Sequence, residues 1–205
     1  GIGRNYVEHI RELGNEIPDQ PVSFYKPNTS IVGPGEPIVY PTASHEVHFE
    51  GELAVVIGRI CRDVPAERVA DVIFGYTVAN DVSARDLQKS DVQWGRAKGY
   101  DTFCPLGPWI VTHLSVDEAS DLEIVTTVEH ADGAREEKQR ASTALMMRGI
   151  SELVQFVSSF CTLLPGDLIL TGTPAGVGPI VPGDRVRIAI EGIGELANPV
   201  VAQDA

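Results

Sequence analysis

Two glutamates separated by a single residue stand at the start of the most apolar run in the sequence. Glu50 and Glu52 belong to the stretch HFEGELAVVIG, whose second half is typical of a buried β-strand. Side chains two residues apart on a strand project from the same face, so these carboxylates lie side by side, and Gly51 between them allows close approach. Neighbouring carboxylates repel one another unless a cation lies between them, so the pair predicts a site for a hard divalent ion such as Mg²⁺, Mn²⁺ or Ca²⁺.

A third carboxylate, Asp81, ends the apolar run TVAND at the point where a polar segment begins. Three carboxylates around a divalent cation leave about one negative charge, which nearby Arg85 or Lys98 can balance. Glu side chains are mostly exposed, however, so an isolated Glu-x-Glu pair is more often the solvated face of an edge strand. The metal-site interpretation therefore depends on other parts of the chain.

His45 and His48 offer an alternative, a zinc site completed by Glu50. A strand places residues three apart on opposite faces, so the two histidines cannot both face one ion, and we do not favour zinc. On this geometry His48 alone shares the face of the glutamates.

The segment NYVEHIREL carries apolar residues at helical spacing and predicts a short amphipathic helix over residues 6–13, with Asn5 as its N-cap and Gly14 at its end. His9 and Glu12 are neighbours on this helix, so Glu12 can accept a hydrogen bond from the His9 ring and hold its tautomer. Such pairs are also ordinary features of solvated helix surfaces, so the spacing alone leaves a catalytic and a purely structural interpretation open.

Other elements must position these groups. We predict helices at PAERVADVIFGY, begun by Pro65 and ended near Gly75, and at ISELVQFVSSFCTL, with a polar loop over residues 82–104. Strand patterns occur at VSFYK, PIVYP, ELAVVIG, TVAND, PWIVT, LEIVTTVEH, DLILTG and RVRIAI. Strands outnumber helices and no regular βα alternation occurs. The sequence therefore excludes a Rossmann or TIM fold and predicts one α+β domain, predominantly β, built on curved or rolled sheet over residues 1–205.

Composition restricts the class of partner. The chain has 205 residues, a formal net charge of −13 and a pI near 4.7, which argues against nucleic acid and anionic membrane surfaces, since both are bound by clustered Lys and Arg. Neither a membrane-spanning apolar segment nor a secretory leader is apparent, so we expect a soluble cytoplasmic protein. Cys61, Cys104 and Cys161 match neither a disulfide framework nor a zinc ribbon and are expected to be reduced core residues.

Six segments in this order, from about Gly3 to Asn198, closely resemble the fumarylacetoacetate hydrolase family: GRNYVEHIRELG, KPNTSIVGP, HFEGELAVVIG, GYTVANDVSARDLQ, RAKGYDTFCPLGPWIV and LLPGDLILTGTPAGVGP. The nearest resemblance is to the small acylpyruvase-like members, including those named 2-hydroxyhepta-2,4-diene-1,7-dioate isomerase. It implies a mixed β-sandwich roll of the family's C-terminal catalytic type and a homodimer. It also implies a segment that precedes the GRNY motif in the natural protein.

The resemblance assigns roles to individual residues. Mg²⁺, or Mn²⁺ in its place, is expected on Glu50, Glu52 and Asp81. His9 and Glu12 are expected to activate a water molecule.

Substrate contacts are implied for Arg85 and Gln88 in SARDLQ, Lys98 in RAKG and Thr173 in TGTP, with Lys26 in YKPNT as a weaker candidate. Each supplies a donor suited to a carboxylate or enolate oxygen, and Lys98 is also a candidate electrophilic catalyst. The segment TGTPAGVGP lacks the Gly-Lys-Ser/Thr ending of a phosphate-binding loop and predicts a turn in the pocket.

The activity implied is divalent-metal-dependent hydrolysis of a C–C bond in an acylpyruvate-type 2,4-dioxo acid through a metal-bound enolate, a reaction of aromatic catabolism. Isomerisation of 2-hydroxyhepta-2,4-diene-1,7-dioate and decarboxylation of an oxaloacetate-type acid pass through a similar enolate, so the metal site does not separate these activities. A metal-stabilised binding protein without turnover is a further alternative, against which the pair of His9 and Glu12 argues.

Overall fold

Strands dominate the fold. The computed structural model describes residues 1–204, in which there are fifteen β-strands, five α-helices and three short 3₁₀-helices. The strands are β1 (Ile2–Gly3), β2 (Val22–Ser23), β3 (Ile31–Val32), β4 (Ile38–Tyr40), β5 (Val47–Phe49), β6 (Gly51–Ile57), β7 (Ile73–Asn80), β8 (Ser83–Ala84), β9 (Cys104–Val111), β10 (Glu123–Glu129), β11 (Arg135–Ser142), β12 (Leu168–Leu170), β13 (Gly178–Pro179), β14 (Arg185–Ile190) and β15 (Gly194–Ala202). The α-helices are α1 (Val7–Glu12), α2 (Arg85–Ser90), α3 (Gly95–Lys98), α4 (Val116–Ala119) and α5 (Ile150–Phe160), and the 3₁₀-helices cover Asn28–Ser30, Ala66–Asp71 and Thr143–Leu145.

Two five-stranded sheets form the body of the molecule. One has the strand order β12-β6-β7-β9-β3 and the other the order β11-β10-β14-β15-β4, and each is antiparallel except for a parallel strand at one edge. A three-stranded sheet, β13-β5-β8, and the short pair β1-β2 accompany them. This strand-rich, curled arrangement confirms the predicted α+β roll.

The two large sheets share one apolar core, to which Leu53 of β6 and Ile188 of β14 contribute fully buried side chains. At Gly51 the sheets approach too closely for a side chain, because a Cβ atom there would lie 2.3 Å from Thr126 Oγ1. The glycine between the two glutamates is therefore required by packing between the sheets as well as by the spacing of the carboxylates.

Pairing of β6 with β7 brings the acidic residues together. Glu52 lies opposite Ala79 in the antiparallel register, and the backbone N–H of Asp81 donates to the carbonyl of Glu50 at 2.9 Å. The side chain of Asn80 also accepts from the N–H of Glu50 at 2.9 Å. Asp81 therefore leaves β7 at the same end of the sheet at which β6 begins.

Most predicted elements are present. The helix predicted at ISELVQFVSSFCTL is α5, and the strands predicted at ELAVVIG, LEIVTTVEH and RVRIAI are β6, β10 and β14. The sequence patterns do not reveal β11, because this edge strand has the sequence REEKQRAS and is largely exposed, so it lacks the apolar alternation of a half-buried strand.

Two predicted elements are wrong. The helix predicted to end near Gly75 is a 3₁₀-helix over Ala66–Asp71, and β7 already begins at Ile73 because Ile73 pairs with Ile57 of β6. The loop predicted over residues 82–104 instead contains β8 and the short helices α2 and α3. Helices of this length show no apolar repeat, which is the signal that the prediction needs.

Asn5 does not cap helix α1 as predicted. Tyr6 occupies the N-cap position, without a capping hydrogen bond from its side chain. The buried Asn5 side chain instead donates to the carbonyls of Arg148 and Thr171 at 3.0 and 2.9 Å, and it accepts from the N–H of Arg148 at 3.0 Å. These three bonds fix the start of α1 against Arg148, just before α5, and against Thr171, just after β12.

The three cysteines agree only in part with the expectation that they are reduced core residues. Cys61, Cys104 and Cys161 are all free, but only Cys104 is fully buried. None of the helices within residues 1–204 is long and apolar enough to cross a membrane.

Candidate active site

The structure brings the three predicted acidic ligands into one buried cluster. Each of Glu50, Glu52 and Asp81 offers a carboxylate oxygen, and these oxygens lie within 4.8 Å of one another. Among residues 1–204, no other group of three potential metal ligands is this close. The three residues are at most 4% exposed, which rules out the alternative of a solvated edge-strand pair.

Two of the three carboxylates have cationic partners within the protein. Lys98 Nζ lies 2.6 Å from Glu50 Oε2 and 2.7 Å from Asp81 Oδ2. Arg85 Nη2 lies 2.6 Å from Glu50 Oε1, and Lys26 Nζ lies 2.6 Å from Asp81 Oδ1. Lys98 and Arg85 thus take the charge-balancing positions that the sequence predicts for them.

Glu52 differs from its neighbours because it contacts no cation among residues 1–204. Its Oε2 accepts a hydrogen bond from the backbone N–H of Gly172 at 2.7 Å. Burial raises the pKa of Glu52 well above its ordinary value, and the charges of Asp81 and Glu50 raise it further. For Glu50, burial also favours the neutral acid, but Lys98 and Arg85 more than offset this effect and lower its pKa.

This donor set fits a hard divalent cation. All three donors are carboxylate oxygens, they are buried, and no cation among residues 1–204 contacts Glu52, whose pKa is raised by burial and by its acidic neighbours. Oxygen-only donors match Mg²⁺, Mn²⁺ or Ca²⁺ rather than zinc. His45 is exposed and His48 is half-buried, and neither belongs to the cluster, so the zinc alternative has no support in the described residues.

A buried histidine lies beside this cluster. His9 Nδ1 lies 3.3 Å from Glu12 Oε2, and the same carboxylate accepts from the N–H of Gly176 at 3.1 and 3.2 Å. Burial lowers the pKa of His9, and the positive charge of Arg85 lowers it further, against an opposing effect of Glu50. His9 is therefore neutral at neutral pH, with Nδ1–H directed to Glu12 and Nε2 left as a proton acceptor.

A cavity of about 250 Å³ joins these groups. Seven of the predicted site residues line it: His9, Glu50, Glu52, Arg85, Gln88, Lys98 and Thr173. The other three lie behind the wall. The carboxylate of Asp81 contacts Lys98 Nζ, and Lys26 donates a hydrogen bond to the backbone carbonyl of Lys98. Glu12 contacts His9. Lys26 does not line this cavity but contacts Asp81 and Lys98, and its predicted contact with substrate stays a prediction.

Three of the lining residues have hydrogen-bond donors to spare. Arg85 Nη1 donates to Gln88 Oε1 at 2.9 Å, which leaves the Gln88 amide N–H groups for another partner. The Arg85 Nε is buried without a hydrogen-bond partner among residues 1–204. Thr173 Oγ1 accepts from Gln139 Nε2 at 2.8 Å, so its own proton is free to donate. These donors suit the oxygens of a small anion.

Sequence reasoning missed several residues of this site. Gln139, which holds Thr173, lies on the polar strand β11, where no pattern distinguishes it. Arg4 and Trp94 also line the cavity. Arg4 lies within the GRNY motif, so the position of that motif beside His9 is the signal that could have identified it.

The sequence matches a known protein family over almost its whole length. Residues 1–201 match the fumarylacetoacetate (FAA) hydrolase C-terminal family. The chain belongs to this family, as the six sequence segments predict.

Three similar proteins carry informative names. The structure of 5-carboxymethyl-2-hydroxymuconate delta-isomerase from Mycobacterium smegmatis is 56% identical, with a TM-score of 0.89, and the match covers 100% of this chain and 78% of that one. The mitochondrial oxaloacetate decarboxylase of Dictyostelium discoideum is 42% identical over 94% of this chain and 88% of its own. The structure of maleylpyruvate hydrolase from Sphingobium sp. SYK-6 in complex with manganese (II) ion and pyruvate is 39% identical, with a TM-score of 0.82, covering 98% of this chain and 69% of that one.

These names describe an isomerase, a decarboxylase and a hydrolase. The protein is therefore an enzyme of a family that acts on oxo acids, and the alternative of a binding protein without turnover is no longer needed.

Proposed function

We propose that the protein is a divalent-metal-dependent hydrolase that cleaves a C–C bond in an acylpyruvate-type 2,4-dioxo acid. One observation carries the proposal: buried His9, oriented by Glu12, lines the same cavity as Glu50 and Glu52. Hydrolysis needs a base that takes a proton from water, whereas decarboxylation needs only a group that accepts an electron pair. A neutral, oriented imidazole in this position favours hydrolysis.

The metal ligands in this proposal are Glu50, Glu52 and Asp81, with Mg²⁺ or Mn²⁺ as the ion and Ca²⁺ also compatible with the donors. A bound ion of this kind supplies a Lewis acid that polarises the oxygens of a 2-oxo acid. The manganese and pyruvate in the structure of the Sphingobium hydrolase support this choice of ion and of substrate class.

The spare donors hold the 2-oxo acid. Arg85 contributes its Nε–H, Gln88 its amide and Thr173 its hydroxyl, and all three suit carboxylate and carbonyl oxygens. Lys98 has three N–H donors, of which two go to Glu50 and Asp81, so one is left for the C2 oxygen of the substrate.

The bond to be broken in an acylpyruvate joins C3 to the C4 carbonyl carbon. His9 accepts a proton from water at Nε2, and the water oxygen forms a bond to C4 while the π electrons of the C4 carbonyl move onto its oxygen. The C4 carbonyl then re-forms as the C3–C4 bond breaks. The released electron pair forms the C2–C3 double bond, and the π electrons of the C2 carbonyl move onto the C2 oxygen, which gives the pyruvate enolate. Lys98 donates a hydrogen bond to the C2 oxygen as negative charge develops there. Protonation of C3 gives pyruvate, and the acyl group leaves as a carboxylate.

Isomerisation of 2-hydroxyhepta-2,4-diene-1,7-dioate and decarboxylation of an oxaloacetate-type acid are the alternatives. The 56% identity to the Mycobacterium smegmatis isomerase supports the first, and the 42% identity to the Dictyostelium discoideum decarboxylase supports the second. Decarboxylation requires neither a water nucleophile nor a base, so the oriented His9 argues against it. Isomerisation needs no water nucleophile, but it moves a proton between atoms of the substrate, and the same imidazole can serve that step, so the products have to separate it from hydrolysis.

The decisive experiment is a comparison of kcat/KM for acetylpyruvate, fumarylpyruvate, oxaloacetate and the heptadienedioate in the presence of Mg²⁺ or Mn²⁺. Proton NMR of the products separates the reactions, because hydrolysis releases pyruvate together with a second carboxylic acid and decarboxylation does not. We expect an acylpyruvate to give the highest kcat/KM. A higher value for oxaloacetate or for the heptadienedioate would reject the hydrolase proposal.

The proposal includes a homodimer in the cytoplasm, with residues 1–205 as one catalytic domain. Phe74 of β7 and Trp109 and Ile110 of β9 are 53%, 62% and 45% exposed, and large apolar side chains on neighbouring strands favour a protein interface. The free cysteines fit a reducing compartment. Light scattering on the purified enzyme tests the dimer, which a monomeric mass would reject.

A further inference from the structure

One cation on the cavity wall has no anionic partner. Four basic residues line the cavity: Arg4, Arg85, Lys89 and Lys98. Three of them form ion pairs with glutamates, at distances between 2.6 and 3.1 Å. Arg4, in contrast, forms no ion pair within residues 1–204, and its side chain contacts the neutral side chains of Asn15 and Trp94.

The guanidinium of Arg4 is held in place by two neutral neighbours. Its Nη2 donates to Asn15 Oδ1 at 2.9 Å, and its central carbon lies 5.8 Å from the centre of the Trp94 ring. The backbone of Arg4 has a φ of +58°, and the adjacent Gly3 packs so closely on Trp94 that a Cβ atom there would lie 2.6 Å from the ring. Arginine has five N–H donors, so most of them are free for a ligand in the cavity.

A chain of aromatic contacts links Arg4 to Lys98 of the carboxylate cluster. Lys98 Nζ is 5.0 Å from the centre of the Phe24 ring, whose centre is 5.7 Å from that of Trp94. Trp94 in turn lies beneath Arg4. Of these two rings only Trp94 lines the cavity. The cavity wall therefore carries Arg4 on Trp94 at one place and the spare donors of Arg85, Gln88 and Thr173 at another, which suits a short carbon chain with an anionic group at each end.

We propose that Arg4 binds a second, distal carboxylate of the substrate, and that the enzyme prefers diacids. The preferred acylpyruvates then carry a carboxylate on the acyl group, and acetylpyruvate, which lacks one, binds less tightly. A bidentate contact between guanidinium and carboxylate supplies both the affinity and the geometric selection. The inference rests on the proposed function, because the first carboxylate is taken to bind near Arg85.

The test measures binding of two acids that cannot be hydrolysed at C4. Calorimetric titration in the presence of Mn²⁺ compares 2-oxohexanedioate with 2-oxohexanoate, which has the same chain but no distal carboxylate. In the wild-type enzyme we expect the diacid to bind about 10- to 100-fold more tightly, the effect of one charge-assisted contact. Arg4→Gln should abolish this difference by weakening diacid binding alone, and Arg4→Lys should restore part of it.

Two further variants keep the result interpretable. Asn15→Asp places an anion beside Arg4 without removing it, so it should also weaken diacid binding, even if Arg4→Gln fails to fold. Lys89→Gln is the matched control, since this cation has a 72% exposed side chain and already pairs with Glu46. It should leave the preference for the diacid unchanged.

Kinetics separate failure of this inference from failure of the proposed function. With fumarylpyruvate and acetylpyruvate as substrates, Arg4→Gln should raise KM for the diacid while kcat for both changes little. An enzyme that hydrolyses neither would reject the proposed function, yet the binding comparison would still test Arg4. Equal binding of 2-oxohexanedioate and 2-oxohexanoate by the wild-type enzyme would overturn the inference. Equal weakening of the binding of both acids in Arg4→Gln would overturn it as well.

Discussion

Gln139 Nε2 donates a hydrogen bond to Thr173 Oγ1 at 2.8 Å, joining β11 of one large sheet to the segment that follows β12 of the other. The same amide donates to the carbonyl of Pro174 at 2.8 Å and accepts from the N–H of Gly51 at 3.1 Å. One neutral, buried side chain therefore holds the hydroxyl oxygen of Thr173, whose proton stays free to donate, and the backbone between the two glutamates.

Replacement of Gln139 by leucine should destabilise the protein and impair the site together. Gly51 N–H and the Pro174 carbonyl would lose their partner while remaining buried, at a cost of about 1–3 kcal/mol each. We expect a lower urea midpoint and a higher KM for the acylpyruvate, because Thr173 is no longer held. Glu137→Gln on the exposed side of the same strand is the control, and a similar loss in both variants would contradict the role of Gln139.

Gly51→Ala should be destabilising for steric reasons. Its Cβ would lie 2.3 Å from Thr126 Oγ1, and such overpacking typically costs about 1–3 kcal/mol. The Thr126 hydroxyl has no hydrogen-bond partner among residues 1–204, so Thr126→Ala alone should cost little. In a double-mutant cycle followed by urea unfolding, Thr126→Ala should recover part of the loss, and strict additivity would show that this clash is not the cause.

Glu52→Gln should remove the effect of metal ions on stability. An ion that binds only the folded state raises the free energy of unfolding, by about 2.7 kcal/mol at 100 times its Kd. The melting temperature of the wild-type protein should therefore rise as Mn²⁺ is added, and that of Glu52→Gln should not. Glu46→Gln, which changes a more exposed acid outside the cluster, should behave as wild type. An equal rise in all three proteins would exclude Glu52 as a ligand.

His9→Ala should affect hydrolysis more than decarboxylation. Loss of a general base typically slows a reaction about 10²- to 10⁴-fold, whereas loss of CO₂ from oxaloacetate needs no water nucleophile. Both activities are to be measured at saturating metal, with Glu8→Gln on the exposed face of α1 as the control. Equal losses in the two reactions would show that His9 acts at a step they share.

The pH profile supplies a second measurement of the same role. Burial lowers the pKa of His9 below its ordinary value of 6.5. Protonation removes the base, so kcat/KM should fall as the pH falls, with its acid limb below pH 6.5. A limb at or above this value would contradict the assignment.

His130 should make stability depend on pH with the opposite sign to a buried neutral histidine. Its Nδ1 lies 3.0 Å from Asp184 Oδ1, and this hydrogen bond raises the pKa of His130 above its ordinary value of 6.5. The folded state therefore binds the proton more tightly, so the added stability is present below pH 6.5 and is lost as the pH rises through the folded-state pKa.

The measurement is the difference in urea midpoint between wild type and His130→Gln. This difference should be largest near pH 6 and should shrink toward pH 9 as His130 loses its proton. His113→Gln, at an exposed position, is the control. A difference that does not vary with pH would contradict the ion pair with Asp184.

Relationships that depend on a few residues of backbone are determined by the sequence itself. Glu50 and Glu52 share a face because a strand has a two-residue repeat, and His9 and Glu12 meet because a helix places residues three apart side by side. The strands β6, β10 and β14 and the helix α5 follow from apolar repeats in the same way. The six segments that resemble the family likewise predict its fold, which the family match confirms.

Which distant segments meet was decided only by the tertiary structure. Asp81 reaches Glu50 through the register of β6 and β7, and Gln139 reaches Thr173 because the two sheets pack at that point. Asn5 has the residue type of an N-cap, yet backbone groups from Arg148 and Thr171 take its hydrogen bonds. A periodic pattern reports which face of an element is buried, but the residues that cover that face come from elsewhere in the chain, and only packing selects them.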